Sequence, residues 1–333
     1  MKNFKNALFA SLLCLPLAIT GCDDKKSPAE PAGPAEAAAP TEPAEPAEPA
    51  KPAEPAKPVF SEAATTTALA GIAACENAYS CDAVDALKAF GQPAAAQIAA
   101  FAMDRKHDKK VRQTALTIIE NADKVDADGA LAAKMFAAAK AEEDFITRLG
   151  MFEVAAKLAD DTVMIAMLTY QSSEEADKAR QQTDVLTAVD QFPKDKVYAW
   201  AAKQMLTTKA PVEVANLIRE AAAAKNLAEV IAFIPQIEDT MAKHRLASKA
   251  IALGDVASFD ILVAGLQASG PLSRYDRGDA GNMIADVIDK VPADKKAAVI
   301  AALKSARAQS KEPRDMMTLD KCLKALGVEA AKP

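Results

Sequence analysis

From about Phe60 onward, apolar residues recur three and four positions apart. Ile98, Phe101 and Ala102 share a face, as do Val111, Ala115 and Ile118, and Phe145, Leu149 and Phe152. Val189 and Phe192 begin a set that resumes, after a break, at Val197, Trp200 and Ala201. Leu227, Val230, Ile231 and Ile234 follow, then Ile284, Val287, Ile288 and Val291, then Val299, Ile300 and Leu303. This spacing predicts amphipathic helices. Asp82, Asp108, Asp161 and Asp255 stand where N-caps are expected, each able to accept from an unpaired amide. Pro211, Pro292 and Pro313 fit first helical turns. The pattern predicts about fifteen short helices joined by short turns. No run alternates β-branched or aromatic residues with polar ones, so no sheet is predicted. Many short helices in series predict an all-α fold of stacked helical hairpins, an α-solenoid, in preference to a single bundle.

Composition agrees. Aromatics make up 5% of the 333 residues and there are only 12 glycines, while alanine is abundant. Alanine costs least in a helix and lets helices pack closely. The segment ahead of the helical pattern differs. From Ser27 to Pro58 it is almost entirely Pro, Ala, Glu and Lys, with Pro40, Pro43, Pro46, Pro49, Pro52, Pro55 and Pro58 at every third position. Polyproline II has three residues per turn, which puts these rings on one edge of an extended chain. With no apolar side chains to bury, the segment is expected to stay unpacked. At about 3.1 Å per residue it reaches on the order of 100 Å. A tether is the expected role, with a PxxP ligand for another protein as the alternative.

At the N-terminus, Lys2 and Lys5 precede an apolar run, Ala7 to Thr20, that is too short for an ordinary membrane-spanning helix. The run ends in Ile19-Thr20-Gly21-Cys22, which resembles the lipobox of bacterial lipoproteins. An ordinary secretory peptide that happens to contain a cysteine is the alternative. The resemblance implies cleavage before Cys22, acyl chains on the new N-terminus, and a chain held to the cell envelope by lipid. Asp23 resembles an inner-membrane retention signal of some bacterial lipoproteins, a rule that is not general, so the choice of membrane stays open. The expected organisation is a signal peptide (1–21), a lipidated N-terminus and linker (22–58), a helical domain (59–328) and a short tail (329–333). Losing residues 1–21 removes two lysines and no acid from 40 bases and 46 acids, moving the formal charge from −6 to about −8. A mildly acidic chain lacking a basic block argues against nucleic acid and against electrostatic docking on anionic lipid.

Residues 92 to 122 read QPAAAQIAAFAMDRKHDKKVRQTALTIIENA. A proline opens the first helix, a polar turn carries Asp108, and Val111-Arg112 leads to Ala115. This resembles a HEAT repeat, in which D-x-x-V-R-x-x-A opens the second helix. A weaker echo, KHRLASKAIALG, runs from Lys243 to Gly254 and carries Arg245 and Ala247. No firm period is visible elsewhere, so the remaining repeats are expected to be degenerate. The resemblance implies that Asp108 and Arg112 link neighbouring repeats instead of binding a ligand.

Of the five cysteines, Cys14 lies in the signal segment and Cys22 in the lipobox. In an oxidising compartment Cys75 and Cys81, flanking a turn between two predicted helices, are expected to form a disulfide worth about 2 kcal/mol. Two buried free thiols are the alternative. Cys322 is expected to be buried and free, or else paired between molecules.

Candidate chemistry is sparse. His107 sits in a charged turn and His244 in a basic helix start, and both are expected to be solvated. No HExxH, GxSxG, SxxK or phosphate-cradling glycine loop is present. In Lys124 to Gly129, KVDADG, a calcium loop would put Lys124 at its first position and Met135 at its twelfth, removing required oxygens, so a helix-capping turn is expected. Ser269 to Asn282 is the longest polar stretch and is expected to be a loop, with Arg274, Tyr275 and Arg277 as candidate binding residues. A solvent loop with local Arg–Asp pairs is the alternative. The Arg277-Gly278-Asp279 tripeptide is discounted as a chance match. Trp200 is expected in the core, with Tyr198 on another face. No metal or cofactor is expected. The leading expectation is a non-catalytic, lipid-anchored scaffold for another envelope protein. The alternative is a carrier or chaperone for apolar ligands or unfolded clients, with Met164, Met167 and Leu168 lining part of a groove. An enzyme ranks last.

Overall fold

Helices account for all the regular structure in the computed structural model, which describes residues 60–75, 81–122, 126–269 and 273–328. The signal segment, Cys22, the proline-rich linker and the 329–333 tail lie outside the described residues. Seventeen α-helices are present among them, with short 3-10 turns between some. They fall into eight successive pairs. The first four are α1 (Glu62–Gly71) with α2 (Asp82–Phe90), α3 (Gln92–Met103) with α4 (Lys109–Glu120), α5 (Gly129–Ala141) with α6 (Phe145–Leu158), and α7 (Asp161–Gln171) with α9 (Gln182–Val189), the short α8 (Glu174–Lys178) lying between the last two. The second four are α10 (Lys194–Gln204) with α11 (Pro211–Ala221), α12 (Leu227–Phe233) with α13 (Thr240–Ala252), α14 (Phe259–Leu266) with α15 (Ser273–Asp286), and α16 (Lys296–Gln309) with α17 (Pro313–Ala325). The first helices of the pairs begin at residues 62, 92, 129, 161, 194, 227, 259 and 296, intervals of 30 to 37.

The pairs pack in sequence order, in two rows. First helices touch first helices, as in α3 with α5, α5 with α7 and α14 with α16. Second helices touch second helices, as in α4 with α6, α6 with α9, and the series α11, α13, α15, α17. One apolar core runs between the rows, from Leu69 and Ile72 through Phe152, Met167 and Phe259 to Leu319 and Leu323. Alanine suits this layer. Ala94, Ala99, Ala102, Ala115 and Ala132 are all fully or nearly fully buried, where larger side chains would hold the helices apart.

Polar side chains tie each pair to the next. Gln97 donates to Thr66, Arg112 to Glu142, Gln113 to Asp144, Arg148 to Asp184 and Tyr198 to Glu229, over separations of 30 to 36 residues. His244 and Asp279 meet at a separation of 35. Each bond thus spans about one pair. The sequence shows no such period because the partners change chemically from one junction to the next. Arg219 of α11 is an exception. It reaches Asp286 and Met283 of α15, two pairs on.

The helix starts follow local rules. Asp108, Asp128, Asp144, Asp160 and Asp239 each accept a backbone N–H as N-cap. The KVDADG turn thus caps a helix as expected, through Asp128. Asp82 and Asp161 sit one residue inside, the caps being Cys81 and Asp160, where a carboxylate still faces the positive end of the helix. Asp255 opens a 3-10 turn. Pro211 and Pro313 begin α11 and α17, whereas Pro292 precedes α16 by four residues. Gly91, at φ 61°, joins α2 to α3 in a conformation that side chains disfavour.

Several sequence expectations are corrected. Phe145 is 55% exposed; α6 instead buries Met151, Phe152, Val154, Ala155 and Leu158. Tyr198 is buried, while Trp200 is only half-buried against the core. The buried Tyr198 hydroxyl donates to Glu229 at 2.6 Å, and burial with that carboxylate pushes its pKa far above the ordinary value. Met164, Met167 and Leu168 are all buried core, so no groove is lined there. His244 is buried, not solvated, and His107 stacks on Phe101 with ring centroids 3.8 Å apart.

Arg112 shows how a junction is held. Its Nε donates to the Ala102 carbonyl at 2.7 Å and a terminal nitrogen donates to Glu142 at 2.6 Å, with both side chains buried. Burial alone raises the Glu142 pKa. The Arg112 bond, the Asp144 amide and the charges of Arg112 and Arg105 outweigh it and hold the carboxyl below its ordinary 4.5. A depressed carboxyl contributes stability above its unfolded pKa and loses it as pH falls through the folded one. Arg112→Ala leaves Glu142 buried without that cation and is expected to lower unfolding free energy by about 3 kcal/mol at pH 7. Denaturant titrations of native and variant chains should converge as pH drops below 4.5.

Candidate functional site

The expected loop from Ser269 to Asn282 is mostly helix. Residues 273–286 form α15, although two glycines and little aliphatic content argue against a helix there. Tertiary packing overrides that propensity. A side-chain carbon on Gly278 would lie 3.0 Å from an Asp315 oxygen, and one on Gly281 would lie 3.0 Å from Leu319. The glycines let α17 approach α15 closely. On the buried side of α15, Ala280, Met283 and Ile284 join the core.

The Arg277-Gly278-Asp279 tripeptide is consumed by this packing. Arg277 donates to the Ala268 carbonyl at 2.9 Å, Gly278 lies under Asp315, and Asp279 is 7% exposed. Asp279 meets His244 Nδ1 at 3.0 Å and Arg245 at 2.6 Å. His244 in turn lies against Gly265, where an added carbon would come within 2.3 Å of its Nε2. This buried cluster fixes α13, α14 and α15 to one another. The Nε of Arg245 is buried with no hydrogen-bond partner among the described residues.

Over this cluster runs an open groove of about 530 Å³ along one end of α13, α15 and α17. Arg245, Arg274 and Arg314 come to it from three successive pairs, together with Tyr275 and Asn282, and they face the carboxylates of Asp279, Glu312 and Asp315. Tyr275 is 53% exposed, and the Arg274 guanidinium lies 4.4 Å from its ring centroid and bonds its hydroxyl. The structure therefore brings Arg274 and Tyr275 together. Arg277 lines a smaller cleft of about 280 Å³ with Arg274, Gln309 and Lys311. Arg245 and Arg314, which sequence reasoning did not select, join the site because the pairs repeat at similar spacing and bring their ends to one edge.

A second groove, of about 650 Å³, lies between α1 and α3, with Leu69, Ala73, Phe101 and Val111 on its walls and His107 at its rim. Among the described residues no group of three or more His, Cys, Asp or Glu is placed to hold a metal ion. No helix among them is long and apolar enough to cross a membrane. A sulfur–sulfur bond joins Cys75 to Cys81, tying the end of the first pair's opening turn to the start of α2. Cys322 is a buried free thiol, and burial pushes it up to about 11, beyond the range in which it reacts readily. No family model, curated protein or solved structure matches the chain.

Gly265→Ala is expected to push His244 away from Asp279 and to destabilise the fold by about 1–3 kcal/mol. A denaturation midpoint equal to that of the native protein contradicts the packing described here.

Proposed function

We propose that the chain is a non-catalytic scaffold of the cell envelope, held by lipid at Cys22, whose helical pairs form a HEAT-like α-solenoid that binds another envelope protein. The observation that carries the reading is the groove edged by Arg245, Arg274, Tyr275 and Arg314. Tyrosine and arginine are the residue types that dominate binding energy at protein interfaces, and here they come from consecutive pairs on a serial array. The D-x-x-V-R-x-x-A stretch supports the HEAT-like reading, since Arg112 bonds within the fold and across a junction. The proline-rich segment between Cys22 and the helical domain fits a tether.

A second reading, carriage of an apolar ligand, is favoured by the groove beside Leu69 and Phe101. Phe101→Glu would abolish binding of an environment-sensitive apolar dye at that groove and leave partner capture unchanged.

In-cell crosslinking of the tagged full chain, followed by mass spectrometry, tests the leading reading. One recurrent envelope protein is expected, lost when residues 59–328 are deleted and the lipobox is kept. Many unrelated clients, or none, would sink it. Cys22→Ala is expected to release the chain from the membrane fraction and to change its N-terminal mass.

A further inference from the structure

The last helical pair differs in charge from the chain it closes. Residues 296–325 carry seven cations, Lys296, Lys304, Arg307, Lys311, Arg314, Lys321 and Lys324, against three carboxylates, Glu312, Asp315 and Asp320. The chain as a whole has more acids than bases. Of the carboxylates, Asp320 takes the Arg307 Nε at 2.7 Å, while Glu312 and Asp315 line the groove beside Arg314.

The cations, in contrast, line up. Arg314, Met317, Lys321 and Lys324 occupy positions i, i+3, i+7 and i+10 of α17 and so share one face. All four are exposed, Met317 at 68% the most exposed large apolar residue among those described. Among the described residues, no ion pair engages Arg314, Lys321 or Lys324. The opposite face of α17, with Leu319, Cys322 and Leu323, is buried against the rest of the array. The exposed stripe therefore points away from the preceding pair. Inside the array, cations such as Arg112 and Arg148 meet an acid of the next pair. The α17 cations Arg314, Lys321 and Lys324 meet none among the described residues.

Arg314 also lines the groove with Arg274 and Tyr275, so groove and stripe form one continuous surface. We infer that this surface binds an acidic amphipathic helix of a partner protein, which lies along α17 as a further helix of the array would. Its carboxylates pair with Arg314, Lys321 and Lys324, an apolar residue covers Met317, and one end enters the groove beside Arg274. The groove favours a protruding segment over a flat anionic bilayer, because a bilayer cannot follow the surface between α13, α15 and α17. The inference rests on the scaffold reading and names the chemistry of its partner.

The test uses the purified full chain and a fluorescent peptide as long as α17, with glutamate and leucine at helical spacing. A second peptide replaces each glutamate by glutamine. Fluorescence anisotropy is expected to show salt-sensitive binding of the glutamate peptide and weak binding of the glutamine one. Lys321→Glu with Lys324→Glu should weaken the first on the order of tenfold, while the control Lys203→Glu should not, with all chains matched for thermal unfolding. Equal binding of the two peptides, or no loss on charge reversal, overturns the inference. So does lysine-dependent binding to phosphatidylglycerol vesicles in place of the peptide, or self-association of the chain that the reversal abolishes. A recurrent in-cell crosslink that persists in the Lys321→Glu, Lys324→Glu chain also overturns it and leaves the scaffold reading intact. No recurrent crosslink with the native chain overturns both.

Discussion

The bond from one helical pair to the next is the constraint on which the rest of this structure depends. A pair of helices of 7 to 14 residues cannot bury its apolar stripes alone. Each pair is completed by its neighbour, and where polar groups are drawn into that contact they must find partners there or leave a buried charge unpaired. Arg112 with Glu142, Arg148 with Asp184, and His244 and Arg245 with Asp279 are three solutions to the same problem. They are chemically unlike because each junction requires only complementary groups, and no particular residue type. Complementarity at each junction therefore keeps a common spacing without a common sequence.

The same constraint sets what could be read from the residues alone. Helices and many of their starts were legible, because capping and amphipathic spacing are local properties of a few neighbours. Asp108 caps as its position suggests, whereas Asp82 and Asp161 fall one residue inside their helices, and the Val111-Arg112 start of α4 is evident. The period was not legible, since it resides in pairings such as Gln97 with Thr66 that no local window contains. Nor was α15, a helix whose glycines lower its propensity but are required for α17 to approach. Phe145 illustrates the converse error. It falls on the apolar stripe of its helix by spacing, yet it stays exposed, while Thr147 in the same turn is buried and bonded to Gln113 of α4.

The candidate site had the same mixed legibility. A polar stretch containing Arg274 and Tyr275 was conspicuous, and the two do share a groove. Its other arginines, Arg245 and Arg314, lie about 30 and 40 residues away in sequence and are brought together only by the stacking of pairs. Arg277, close by in sequence, donates to the Ala268 carbonyl and shares a smaller cleft with Arg274. On a serial array the edge common to consecutive pairs is the natural unit of a binding surface, and sequence proximity is a poor guide to it.

The short span of the junction bonds has a kinetic and evolutionary meaning as well. Those between adjacent pairs close loops of similar size wherever they fall in the chain, so the entropy lost in forming one does not grow with the number of pairs. Such low contact order favours rapid assembly from whichever junction forms first. It also makes length an adjustable quantity. A pair can be duplicated or lost without rewiring distant contacts, with Arg219, which reaches past the α12–α13 pair to α15, marking a stretch where that freedom is restricted.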